Sequence, residues 1–586
     1  MKHLTRYRDK IEAGLVAANL FDKAPTIYFA LEDACGHDDL KVQKTRKKRV
    51  VTLDIGPFQA VEKVWTDTEN NSYYSQQLRD LTPWRCTYGY DVLVYVGYAL
   101  FVHHRSEKQI ISDLSRRNII ISQREIGFLG RKFVAYLAAV HQQSRDRLKA
   151  HMAKKGGYIL HLDGTCEGDS PHLFTGMDGI SEIVLESIKL PSEKGELIVP
   201  FLRDIEQSYG DPIALVHDMG KGILSAVKTV FPGIPDFICH FHFLRDIGKD
   251  LLESDYGKIR NRLKKHKIRS VLRQKAKALE KHLEGDDNAA KGIIEGLERA
   301  GSPKPSPAFV AYTMIHWTFT LSEELKGYGF PFDCPHWIFY QRLKRLYEFL
   351  NHTESWVGGT KPLRSLWRPL TKIMDDPQLK TATTRMEERT RVFEKLRKSL
   401  SIALPEHSNG LNDDGLDPDM KTIEEAIRSF REEVSVEAAY QKPEYKKMTE
   451  QIDKYWDKLF ADPITLDGSY GSVSIQPQRT NNILERFFRD FKRGGRKKSG
   501  TVSLSKTLRS ILSDTPLVKN LENTEYRSIL LDGCATLEER FAKVEAQAVL
   551  DKLNAEKNKN EKMQPEMKKV VRLPDLPERL ANLLAA

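Results

Sequence analysis

The sequence predicts an α/β core that is interrupted by a long all-helical insertion and preceded by a short helix-turn-helix region. Three observations lead there. Two apolar runs of strand character, Tyr158–Asp163 and Ile213–Asp218, stand on either side of an amphipathic helical stretch. The chain from Asp250 to about Tyr470 is almost wholly helical in pattern, rich in charge and aromatics, and has no regular repeat. Upstream, Ser106 and Ser122 each stand at the start of a short amphipathic segment, where a hydroxyl caps a helix.

Taken in order, residues 1–80 form a basic region with a small β-hairpin. The dense cationic run Lys41–Arg49 leads into Val50–Asp54, with Val61–Thr68 as the pairing strand. That run reads equally as a solvated loop or as an arm that contacts phosphates. In residues 81–150, an apolar helix near Tyr88–His104 precedes two short helices joined by a tight turn. Arg124, Arg131 and Lys132 lie on the second, which suits a helix in the DNA major groove, although any compact helical pair gives a similar pattern. Residues 151–245 read β-β-β-α-β-α-β: strands at Tyr158–Thr165, His172–Asp178 and Glu182–Leu190, a helix near Lys194–Tyr209, a strand ending at Asp218, a helix near Gly222–Phe231 and a strand at Asp236–Cys239. That is the order of a ribonuclease H-like core, an antiparallel hairpin leading into parallel strands. The insertion covers 246–470, the core resumes over 471–515 with a helix carrying Glu485, and 516–586 form a C-terminal helical tail.

Composition narrows the partners. With 586 residues, a net charge of +11 and a pI near 9.0, the chain favours a polyanion, with nucleic acid ahead of an anionic membrane. Its six cysteines are scattered without a Cys-x-x-Cys pair, which fits a reducing compartment, cytoplasmic and nucleoid-associated if the host is prokaryotic. The N-terminus has no apolar signal region, and the most apolar stretch, Tyr88–Val102, carries Asp91 and is too short to span a bilayer. No phosphate-cradling Gly-x-x-x-x-Gly-Lys-Ser/Thr loop is present, so nucleotide hydrolysis finds no support.

The chemistry rests on three acids. Asp163 and Asp218 close the first and fourth strands, which are neighbours in such a sheet, and Glu485 lies on a helix far downstream. Convergent carboxylates repel unless a cation lies between them. Together they suit two Mg²⁺ (or Mn²⁺) ions about 4 Å apart, an arrangement for phosphoryl transfer. Glu167, Asp169 and Asp178 lie near the same strand end; Asp163 is preferred because it ends the most apolar run and is followed by Gly164 and Thr165. Around Glu485 stand Arg486, Arg489, Lys492, Arg493 and Arg496, cations that fit a phosphate backbone or, more blandly, a solvated ion-pair helix.

Four motifs in this order resemble the DDE transposases of the Mutator-like and hAT kind. These are Leu162-Asp163-Gly164 after a strand, His217-Asp218 after a later strand, Cys239-His240-Phe241-His242, and Thr480-Asn481-Asn482-Ile483-Leu484-Glu485-Arg486. The resemblance spans about Tyr158–Gly500 and accounts for the distance of Glu485, because in that family a helical insertion separates the Cys-x-x-His motif from the catalytic glutamate. It implies cleavage at transposon ends and transfer of the freed 3′-OH into target DNA. The implied partners are terminal inverted repeats, target duplex and a second copy of the chain, as a homodimer or larger synaptic complex, with no membrane. For Cys239 and His242 it implies a structural or DNA-positioning role. A zinc pair would need two further ligands, and none is evident in the sequence. Among the insertion's tryptophans, Trp356 is the choice for stacking on a flipped base. Two other functions remain open: a domesticated, sequence-specific DNA-binding protein, and a nuclease that hydrolyses without strand transfer.

Overall fold

A computed structural model describes residues 21, 23–31, 40–283, 306–321, 324–353, 360–404, 419–436, 442–468, 471–500, 503–559, 570 and 573–585. The chain divides into two compact units. Met1–Asp236 and Pro463–Ala586 form the first, Phe237–Asp462 the second.

The first unit begins with a small sheet of β1 (Thr26–Phe29), β2 (Lys41–Thr52), β3 (Gly56–Thr66) and β4 (Ser72–Tyr73), in which β3 pairs with the other three. The basic run Lys41–Arg49, expected as a loop or arm, is itself the long strand β2. It pairs antiparallel with β3 from Lys41 opposite Thr66 to Thr52 opposite Gly56, so the pairing strand starts at Gly56 and not at Val61. Both faces of the strand are exposed from Lys41 to Thr45, which leaves its cations in solvent, and only the far end, Val50 to Thr52, is buried, with Val50 in a core with Phe58, Ala60 and Leu78. Leu78 belongs to α1 (Gln76–Leu81).

Next, α2 (Tyr90–Gly97) runs into a π-helical turn (Tyr98–Val102), followed by α3 (Glu107–Ser115), α4 (Gln123–Gln143) and α5 (Arg145–Lys154). Ser106 and Gln109 form a reciprocal capping box at α3, and the Ser122 hydroxyl accepts from Glu125 N–H at α4. Helix α4 is far longer than a recognition helix requires, and every residue from Lys132 to His141 is buried.

A five-stranded sheet follows from β5 (Ile159–Thr165), β6 (His172–Asp178), β7 (Val184–Leu190), β8 (Ala214–His217) and β9 (Asp236–Ile238), with α6 (Gly195–Tyr209) between β7 and β8 and α7 (Lys221–Val230) before β9. The spatial order is β7-β6-β5-β8-β9; the first three strands are antiparallel, and β8 runs parallel to β5. Parallel strands need a crossover, and α6 supplies it. Its Ile198, Phe201, Leu202 and Ile205 are buried against the sheet's core.

Beyond the end of β9, the regular structure of the second unit's described residues is helical: α8 (His240–Lys265), α9 (Ile268–Leu283), α10 (Pro307–Phe319), α11 (Pro335–His352), α12 (Lys361–Met374), α13 (Pro377–Leu400), α14 (Met420–Val436), α15 (Pro443–Lys454) and α16 (Trp456–Leu459). Helix α8 packs on α13. Gly248 is needed there, because a Cβ at that position would fall 2.5 Å from the Phe393 ring. Buried acids in this unit are matched by cations: Asp255 is 3.2 Å from Arg385 and 2.6 Å from Arg389, and Asp376 accepts from Arg262 and His266. Of the insertion's tryptophans, Trp337 is buried and stacks on Tyr340, while Trp317 lies beneath Arg342 and Arg345. Trp356 lies outside the described residues.

The chain re-enters the first unit with the hairpin β10 (Ile464–Gly468) and β11 (Gly471–Ile475), then α17 (Asn482–Ser499), α18 (Leu504–Ser510), a 3₁₀ segment (Thr515–Glu522), α19 (Thr524–Leu531), α20 (Leu537–Ala542), α21 (Ala546–Lys559) and α22 (Leu576–Ala585). Residues 516–549, expected as part of a C-terminal helical tail, pack into the unit. Leu517, Leu521, Tyr526, Leu530 and Phe541 belong to the unit's main core. Asn520 accepts from the Val184 N–H and donates to the Val184 carbonyl, both at 2.8 Å, and so covers the outer edge of β7. His141 contacts Tyr526 OH, Tyr209 OH and the Leu185 carbonyl at 2.8–2.9 Å, joining α4 to the sheet and to α19. Among the described residues no helix is long and apolar enough to cross a membrane.

Candidate active site

Strand register brings the first two acids together. Leu162 pairs with His217 in the parallel β5–β8 ladder, so the next residue on each strand, Asp163 and Asp218, stands side by side at the carboxyl ends. Neighbouring strands lie about 4.8 Å apart, close enough for two carboxylates to share a cation. Five consecutive residues, Ile159–Asp163, are buried.

Glu485 arrives on α17, which is held to β5 by one polar tie. The Asn481 side chain, at the helix start, accepts from His161 Nδ1 at 2.8 Å and donates to the Leu162 carbonyl at 2.7 Å. Its backbone carbonyl accepts from the Glu485 N–H at 2.9 Å. Asn481 and His161 are both fully buried. Burial pushes the His161 imidazolium down to about 4, so the ring is neutral and donates through Nδ1. On its other side, Nε2 abuts Gly179, where an added Cβ would lie 2.6 Å away. The residue before Asp163 and the residue before α17 are thus bonded directly.

Asp218 and Glu485 both lie within electrostatic reach of Asp163. The Asp163 carboxyl is raised well above its ordinary range, first by burial, then by the negative charges of Asp218 and Glu485, and also by that of Glu193. The Gly164 N–H, at 2.8 Å, works the other way. Asp163 makes no ion pair among the described residues. Asp218 accepts from the Gly220 N–H at 2.9 Å, and its carbonyl is 2.6 Å from Nδ1 of the fully buried His217.

The rival acids have other employment. Asp178 is buried and accepts from the N–H groups of Ile159, Ile180 and Ser181 and from the Ser181 hydroxyl. Glu167 accepts from Ser503 Oγ and Ser505 N–H, and Asp169 pairs with Arg509. The acid that sequence reasoning missed is Glu193, in the turn before α6. It is held at 3.0 Å by His172 Nδ1 and overhangs Gly164, where an added Cβ would lie 2.5 Å from its carboxylate. Its sequence signal is indirect: a glycine directly after Asp163 leaves room for something.

Of the expected DNA-contacting cations, Lys492 and Arg496 line a cleft of about 150 Å³ with Cys166 and Glu167, just beyond the end of β5. Arg489 is exposed, Arg493 is exposed beside Asp490, and Arg486 reaches Glu182 at 3.4 Å. On α4, Arg124 and Arg131 are exposed, but Lys132 is not available for DNA. It is buried and donates to the Trp84 carbonyl at 3.4 Å, because α4 is enclosed by core on all sides from that point. Cys239 and His242 lie in the second unit, at the start of α8; both are buried, and burial pushes the His242 imidazolium down to about 3.

No model of a known protein family matches the chain, and no curated protein matches it either.

The donor set fits hard divalent cations. Carboxylate oxygens suit Mg²⁺ or Mn²⁺, and their crowding raises a proton affinity that a cation would relieve.

Proposed function

We propose that the protein is a DDE-type DNA transposase with a ribonuclease H-like catalytic core. The observation that carries this reading is the convergence of Asp163, Asp218 and Glu485, which raises the Asp163 carboxyl. The strand order β7-β6-β5-β8-β9 is that expected of such a core. The helical unit lies in the chain between the second and third acids, as the resemblance in motifs implies.

In this reading Asp163, Asp218 and Glu485 hold two Mg²⁺ or Mn²⁺ ions, which when bound supply Lewis-acid stabilisation of charge on the phosphoryl oxygens. The Asn481–His161–Leu162 tie fixes the approach of Glu485 to Asp163, so the donor set is organised before DNA arrives. Lys492 and Arg496 draw in the phosphate backbone beside the strand ends. Water cleaves the phosphodiester at the element end, and the released 3′-OH then replaces the leaving 3′ oxygen of a target phosphodiester. The number of phosphodiester bonds is conserved in that second step, so no external energy source is needed.

The test uses labelled duplexes spanning the DNA that flanks the coding sequence, a supercoiled target plasmid and Mg²⁺ or Mn²⁺, with wild type and Asp218→Asn in parallel. Joined products from wild type alone support transposition. Cleavage without joining would reduce the reading to a nuclease, and binding without cleavage to a DNA-binding protein.

A further inference from the structure

A cavity of about 510 Å³ lies behind the helix that carries Glu485. At 100° per residue, Phe487, Phe491, Gly494 and Lys498 fall on the face of α17 opposite Glu485, and all four line it. The opposing wall comes from the π-helical turn at Phe101 and from His104, whose backbone is left-handed (φ 51°). Gly494 allows this wall to close in, since a Cβ there would lie 2.4 Å from the His104 ring.

The volume falls within the range of ligand sites, roughly 300–1,000 Å³. Its aromatic walls suit an apolar body. Its charge is unbalanced: Asp490 is matched by Arg493 and Glu522 by Lys519 within the wall itself. Lys497 and Lys498 make no ion pair among the described residues. The Lys498 ammonium lies 5.1 Å from the centre of the Phe101 ring, and burial lowers its proton affinity, an effect that the negative charge of Glu107 offsets only in part. An ammonium placed against an aromatic ring inside an apolar cavity gains from a bound anion what it has lost in hydration.

We propose that this cavity binds a small amphipathic carboxylate, with its apolar body against Phe101, Phe487 and Phe491 and its carboxylate at Lys498. DNA phosphate does not fit this description, because an aromatic cavity offers its area to a hydrocarbon and not to a sugar–phosphate chain. The inference does not depend on the transposase reading, since it needs neither metal nor DNA.

Calorimetric titration of the full-length protein with decanoate and with decanol tests it. Wild type is expected to bind both saturably, decanoate at least about tenfold more tightly, as a charge-assisted hydrogen bond requires. Lys498→Met, which keeps the apolar volume, is expected to abolish that preference while retaining decanol. Ile511→Trp, at the cavity wall, is expected to lose both ligands. Equal wild-type affinity for the two ligands, or no saturable binding by wild type, would overturn the proposal whether or not the variants fold.

Discussion

Two buried carboxylates, one in each unit, have opposite surroundings. Asp376 in the helical unit caps α13 through the Gln378 and Leu379 N–H groups and is ringed by Arg262 and His266. Burial pushes its carboxyl upward, but the hydrogen bonds from His266 and Arg262 outweigh it, and the group is held well below the ordinary carboxylate range. Asp163 in the α/β unit is buried among further carboxylates and is raised. The first acid was folded together with its counter-charges. The second makes no ion pair among the described residues, and in the proposed reading a cation from solution supplies its counter-charge. Burial alone therefore does not separate the two acids; the sign of the surrounding charge does.

The strongest way to break this contrast is to exchange the consequences of mutation. Asp218→Asn should lower metal-dependent DNA cleavage by about a thousandfold while leaving the circular dichroism of the protein intact. Asp376→Ala should do the reverse, costing about 3 kcal/mol of stability in denaturant unfolding with little effect on cleavage per folded molecule. Equal loss of activity in the two variants would erase the distinction.

Next in size is a pair of opposed pH effects. A raised Asp163 pKa means that the folded state holds a proton that the unfolded state releases near pH 4. Metal-free stability from this group is thus greatest at low pH and declines as pH rises towards its folded pKa. Asp163→Asn should accordingly raise the metal-free melting temperature at pH 7–8, an unusual result for a core substitution. His141 and His161 act in the other direction. Their folded pKa values of about 3 and about 4 lie below the unfolded value near 6.5, so their contribution is complete above pH 6.5 and is lost as pH falls towards 4. In Asp163→Asn the acid-side loss should therefore be steeper than in wild type, measured by melting temperature from pH 7.5 to pH 5.

The smallest effect concerns the rim of the site. Lys492→Ala and Arg496→Ala should each weaken binding to any duplex and reduce the slope of log affinity against log salt by about 1. An unchanged slope would remove them from the phosphate path.

The strand ends were legible because burial imposes long apolar runs on β5 and β8, and an acid at the end of each run is conspicuous. The helix of Glu485 was legible from its own cationic pattern. What escaped was set by contacts distant in sequence. Asn481 finds His161 across 320 positions, and no local pattern distinguishes such an asparagine from an ordinary helix start. Glu193 acts through the space above Gly164. The core role of residues 516–549 depends on the free edge of β7 and on the buried His141, neither of which marks the sequence near Asn520 or Tyr526. Lys132 was misplaced because its neighbours Arg124 and Arg131 are exposed, whereas the enclosure of α4 begins at that residue.

The most direct measurement is calorimetric titration of the metal-free protein with Mn²⁺, comparing wild type with Asp163→Asn, Asp218→Asn, Glu485→Gln and Asp376→Asn. Saturable binding is expected for wild type and for Asp376→Asn, weakened at least about tenfold in each of the other three. Wild type that binds no Mn²⁺, or Asp163→Asn that binds it as tightly as wild type, would contradict this expectation.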